Sequence, residues 1–85
     1  MRHAGSEALA RIESLLATLR HEPRLKERGT GLFYARGKAF LHFHEDPAGI
    51  FADLKRDGDW VRYPVNTEAE RRRLVREIGS VLAAG

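Results

Sequence analysis

Residues 39–65 read Ala-Phe-Leu-His-Phe-His-Glu-Asp-Pro-Ala-Gly-Ile-Phe-Ala-Asp-Leu-Lys-Arg-Asp-Gly-Asp-Trp-Val-Arg-Tyr-Pro-Val. Neighbouring side chains alternate in character at a period of two, the period of a strand. Asp46-Pro47-Ala48-Gly49 interrupts the alternation with proline early in a turn and glycine to close it. Asp57-Gly58 interrupts it again, and that pair tolerates the positive φ angles of a tight hairpin. Three antiparallel strands follow, with Pro64 placed where an edge strand accepts it. Upstream, residues 32–36 form an aromatic-rich first strand, and Gly37-Lys38 turns the chain into the second. The four strands make an antiparallel meander.

Outside the meander the period becomes helical. Leu9, Ile12, Leu15, Leu16 and Leu19 recur at three- and four-residue spacing, with Ser6 placed as an N-cap and Pro23 ending the run. Residues 23–28 read as a charged loop around Leu25, closed by Gly29-Thr30-Gly31. After the meander, Thr67 and Glu70 have the spacing of a capping box, and Leu74, Val75, Ile78, Val81 and Leu82 supply a second apolar stripe. The expected fold is α+β, a two-layer sandwich in the order helix, four-stranded meander, helix, with both helices on one face. It occupies residues 1–85 as one domain, with residues 1–5 disordered.

Composition narrows the function classes. The chain has 85 residues, 42% hydrophobic and 32% charged, with a net charge of +3. There is no cysteine, which removes thiolate catalysis and cysteine-ligated metal sites. No apolar run approaches the roughly 20 residues that span a bilayer, so the expected location is cytoplasmic, with no membrane partner. Twelve of the 15 basic residues are arginine, a bias that fits the codon usage of a GC-rich bacterial genome.

Two helices cover one face of such a sheet, and each strand chooses the side it offers them. Ala39, Leu41 and Phe43 form the core set of the second strand, Ile50, Ala52 and Leu54 of the third, and Val61, Tyr63 and Val65 of the fourth. The other face then collects Phe40, His42, His44, Phe51, Asp53, Lys55, Trp60 and Arg62, with Tyr34 and Arg36 as candidates from the first strand. Three large aromatics on an uncovered face mark an interaction surface, with self-association its commonest form.

His42 and His44 share that face at i and i+2 and can present imidazoles to one metal ion, with Asp46 a candidate oxygen ligand. A third fixed ligand is missing from the pattern, since His3 and His21 lie too far along the chain to place. Alternatively, Asp46 makes an Asx-type turn ahead of Pro47. An acid–base pair of His42 or His44 with Asp53 would need a water-excluding pocket. Arg71, Arg72, Arg73 and Arg76 could contact nucleic-acid phosphates, but Glu68, Glu70 and Glu77 stand at ion-pairing distance along the same helix.

The stretch of residues 40–54 resembles small conserved bacterial proteins of unknown function, and that resemblance implies no activity or site residue. Arg36-Gly37-Lys38-Ala39-Phe40 is similar to the Arg-Gly-Lys-x-Phe that opens a hairpin strand in the YjbR-like family. That family has a small α+β fold related to the frataxin-like layer, and the resemblance implies DNA binding. The first helix carries Glu7 and Glu13 but no acidic ridge of the frataxin kind. The reading for function is a binding module that uses the open sheet face, as a homodimer or with another protein, and without a cofactor. A nucleic-acid binder is the alternative, and a metal-assisted enzyme built on His42 and His44 comes third.

Overall fold

The computed structural model describes residues 2–84, and Met1 and Gly85 lie outside the described residues. In chain order the elements are β1 (Arg2–His3), α1 (Ser6–Arg11), α2 (Glu13–Arg20), β2 (Lys26–Glu27), β3 (Phe33–Ala35), β4 (Lys38–Asp46), β5 (Gly49–Arg56), β6 (Asp59–Pro64) and α3 (Glu68–Ala84). Strands β3 to β6 form the expected meander, antiparallel throughout. Asp57 and Gly58 take φ of 49° and 86°, the pair of positive angles that matches strand twist in a two-residue hairpin. Arg36 and Gly37 do the same at 54° and 78°, so the first turn sits one residue earlier than Gly37-Lys38, and Lys38 opens β4. Asp46 Oδ1 accepts the Ala48 N–H at 2.7 Å, the side-chain turn that stabilises the chain around Pro47.

Among the described residues the sheet has six strands instead of four. Lys26 and Glu27 pair with Tyr34 and Phe33, so a two-residue strand lies within the segment expected as loop. Arg20 holds it there, donating to Glu27 at 2.6 Å and to Glu13 at 2.6 Å from one guanidinium. At the other end Arg2 and His3 pair with Glu45 and His44, in a segment whose charged and small residues predict disorder. Backbone polarity explains the order: Ala4 N–H donates to the Phe43 carbonyl at 3.1 Å and Gly5 N–H to Glu45 Oε1 at 2.8 Å. β3 and β1 thus share one long edge of β4, each along a different half.

The first helix is interrupted. Ile12, with φ −111° and ψ 22°, separates α1 from α2, and its N–H turns to the Leu9 carbonyl at 3.2 Å, a tightened three-residue closure. Neither proline nor glycine announces this bend, and Ile12 is fully buried at it. The N-cap is Gly5, with Ser6 the first helical residue. At α3 the expected capping box is present: Thr67 N–H donates to Glu70 Oε1 and Glu70 N–H to Thr67 Oγ1, both at 3.1 Å.

Leu15, Leu16 and Leu19 of α2 and Leu74, Ile78 and Leu82 of α3 join Leu41, Phe43, Ile50, Ala52, Leu54, Tyr63 and Val65 in one buried cluster. Phe40 belongs to it as well, at 7% exposure, which corrects its placement on the open face. The cause is a β-bulge. Tyr34 pairs with Ala39 and Phe33 with Leu41, so Phe40 is the extra residue on β4. A bulge breaks the strict alternation of faces there, and Phe40 and Leu41 are both buried. Replacing Phe40 with alanine should therefore cost about 3–5 kcal/mol in urea unfolding, as for a core aromatic. A cost below about 1 kcal/mol would return Phe40 to the surface.

Candidate metal centre

Downstream of the bulge β4 resumes its alternation, and His42 and His44 project from the face opposite Leu41 and Phe43. Both are half-buried. β1 brings His3 directly opposite His44 in the ladder. The three imidazoles gather: ring centroids of His42 and His44 are 4.6 Å apart, of His3 and His44 5.1 Å, and of His3 and His42 5.8 Å. One ring nitrogen from each lies within 4.8 Å of the other two.

Next to them stands a buried carboxylate. Asp53 pairs in register with His42 and is 6% exposed. Arg62, opposite it on β6, grips it with both arms of the guanidinium, Nε to Oδ1 at 2.8 Å and Nη2 to Oδ2 at 3.0 Å. Burial alone would raise the Asp53 pKa. The bidentate arginine and its positive charge more than reverse that, and the carboxyl sits below the usual range. His44 Nε2 is 2.9 Å from Asp53 Oδ2, but the ring N–H is not directed at the oxygen. Close approach without alignment leaves His44 Nε2 without a hydrogen bond. His44 Nδ1 and His42 Nδ1 are likewise sealed from solvent with no hydrogen-bond partner among the described residues.

The remaining residues of the face divide into supports and bystanders. Trp60 sets its ring edge-on to His42 at 4.5 Å, and Lys55 Nζ lies 4.8 Å from the centre of the same indole. Phe51, opposite His44, is half-buried. The face therefore keeps one large exposed aromatic, Trp60 at 42%. Asp46 is outside the cluster and satisfies its own turn. Tyr34 packs under the Arg28 guanidinium, while Arg36 reaches the Leu82 carbonyl at the end of α3.

Of the four α3 arginines named above, three have contacts of their own, while Arg76 is exposed. Arg71 donates to the Val65 carbonyl at 2.9 Å, Arg72 pairs with Glu68, and Arg73 lies 5.5 Å over the Tyr63 ring. A small cavity of about 80 Å³ does adjoin the histidines, lined by His3, His42, Ala4, Leu9, Phe43 and the backbone turn at residues 30–32.

Sequence spacing brought His42, His44 and Asp53 to one face and missed His3, because a two-residue strand has no period to detect. The only local signal is indirect: Arg2 and Glu45 are of opposite charge and face one another at 3.6 Å.

Compared with protein-family models, curated proteins and solved structures, the chain matches none. The chemistry of the site therefore rests on its own geometry.

Burial is the main cause that lowers the pKa of His42, and the neighbouring His44 acts in the same direction. An unfolded chain takes up a proton at His42 around pH 6.5, and the folded chain takes it up less readily. The metal-free protein should thus lose stability as pH falls below about 6.5, by no more than about 1.4 kcal/mol per pH unit for this group. Asp53 contributes in a separate window: its stabilisation is present above pH ~3.9 and is lost as pH falls through its depressed value. Urea titrations at successive pH values, with chelator present, should show a shallower slope between pH 7 and 5 for His42→Gln than for wild type.

Proposed function

We propose that this protein binds a divalent first-row transition ion, of the zinc class, through His3, His42 and His44. One observation supports the reading above the others: buried imidazole nitrogens that no protein group satisfies, on rings already gathered from two strands. A solvent-sealed polar atom without a partner costs free energy, and a site that pools several of them suits a ligand that needs lone pairs. Neutral imidazole is the preferred nitrogen donor for zinc, copper and nickel, and the chain offers no thiolate to compete.

Tetrahedral zinc with bonds of about 2.0–2.1 Å sets its nitrogen ligands roughly 3.3 Å apart, so the rings must close from their present spread. His3 is exposed, and its ring already stacks on that of His44. Asp53 fits the supporting role that carboxylates play beside metal-bound histidine. A small rotation of His44 aligns Nε2–H with the carboxylate and leaves Nδ1 for the ion. Three protein ligands leave one coordination position for water or a small anion, and a cavity of about 80 Å³ beside His3 and His42 is large enough for a water molecule. The function proposed is ion binding, with that small molecule as the fourth ligand.

Zinc or nickel at stoichiometric excess should raise the melting temperature, because an ion that binds only the folded state stabilises it by about 2.7 kcal/mol at a hundred times its dissociation constant. His3→Ala and His42→Ala should each remove most of the shift, while magnesium, which prefers oxygen ligands, produces none. A wild-type protein indifferent to zinc, or an equal shift in both variants, would refute the site.

A further inference from the structure

We infer a second property, at the outer edge of the sheet: β6 pairs with the β6 of a second copy, in one defined register. β6 is six residues long and, among the described residues, pairs only with β5. The sheet's other terminal strand, β2, is two residues long, which blunts it. The devices that protect an edge are few on β6: its charges are Asp59 beside the turn and Arg62, whose guanidinium is turned inward to Asp53. It contains no lysine, its register with β5 runs without a shift, and its proline is its last residue.

The direction of the free hydrogen-bonding groups follows from the hairpin. Arg56 and Asp59 flank a two-residue turn, so Asp59, Val61 and Tyr63 face β5 with their N–H and C=O groups. Val65 N–H, donating to the Ile50 carbonyl at 3.1 Å, continues the same parity. Trp60 and Arg62 therefore turn their backbone groups outward, and so does Pro64, which has no N–H to leave unpaired.

Only some registers keep both copies facing the same way across an antiparallel edge: those that pair residues of equal parity. Placing Val61 opposite Val61 of the second copy sets Trp60 opposite Arg62, twice over. Each such pair exchanges two backbone hydrogen bonds, and every outward N–H on β6 is then used. Pro64 falls opposite Gly58 at the turn, beyond the ladder.

The side chains agree with this register. Val61, exposed at 36%, meets its own copy across the axis on the helix side. On the other side Trp60 and Arg62 keep their inward partners, His42 and Asp53, so the pairing uses their main chains and leaves those side-chain contacts in place. Asp59 comes opposite Tyr63, whose ring already holds Arg73 at 5.5 Å, so negative charge meets positive. Shifting the axis to Arg62 would instead oppose two guanidinium groups. The contact is isologous and closes at two copies.

Sedimentation across a concentration range, with chelator present to exclude metal bridging, should show the mass rising from one chain to two. Val61→Asp sets two carboxylates against each other on the axis and should hold the protein at one chain, with an unchanged circular dichroism spectrum. The register has its own test, because the chain lacks cysteine. The α-carbons of a non-hydrogen-bonded antiparallel pair stand about 4.5 Å apart, within disulfide reach. Val61→Cys should therefore cross-link to a dimer under mild oxidation much faster than Asp59→Cys. A wild type that stays at one chain at every concentration overturns the pairing. Equal cross-linking at positions 59 and 61 overturns the register.

Discussion

A carboxylate withdrawn from water in the middle of a sheet face is the constraint around which the functional side of this protein is arranged. Removing a charge from water costs several kcal/mol unless it is paired and hydrogen-bonded. Asp53 meets that cost with the two arms of Arg62, which fixes β6 against β5. The same pairing keeps the carboxylate ionised beside His44, where a neutral acid would contribute little to an imidazole. The helices cannot supply these partners, because they cover the opposite face. The polar residues of the open face must satisfy one another, and the histidines are what remains incompletely satisfied.

That asymmetry also explains how unequally the molecule could be read from its sequence. The meander and the capping box were legible because each rests on local chemistry: alternation for the strands, Asp57-Gly58 for the hairpin, and Thr67 with Glu70 for the helix start. The face assignment of β5 needed only the period of two, whereas Val61 of β6, expected in the core, is 36% exposed because β6 is the edge strand. Phe40 was illegible, since a bulge depends on the register between two strands and leaves no mark in either alone. The bend at Ile12 was hidden for a related reason: its cause lies in packing and not in a helix-breaking residue. His3 was the hardest, because its place depends on the open edge of β4, forty residues away in the chain.

The three aromatics expected on the open face have separate surroundings in the structure. Phe40 withdrew into the core, Phe51 is half-covered, and Trp60 became the wall of the histidine cluster and the shoulder of the edge strand. The polar and apolar parts of the same face thus have different consequences. One gathers lone pairs, and the other presents unspent backbone donors. They meet at β6, where Arg62 serves Asp53 with its side chain while its main chain faces outward.

The bulge at Phe40 has a consequence for how such a chain can vary. It divides β4 into two stretches whose facing is set separately: the part beside β3 by the hairpin at Arg36 and Gly37, the part beside β1 by pairing with β5. A residue gained or lost in the first hairpin can be absorbed at the bulge, without turning His42 and His44 over to the core. Drift in the front of the strand is thereby uncoupled from the histidines behind it, and insertions should be tolerated before position 40 far better than after it.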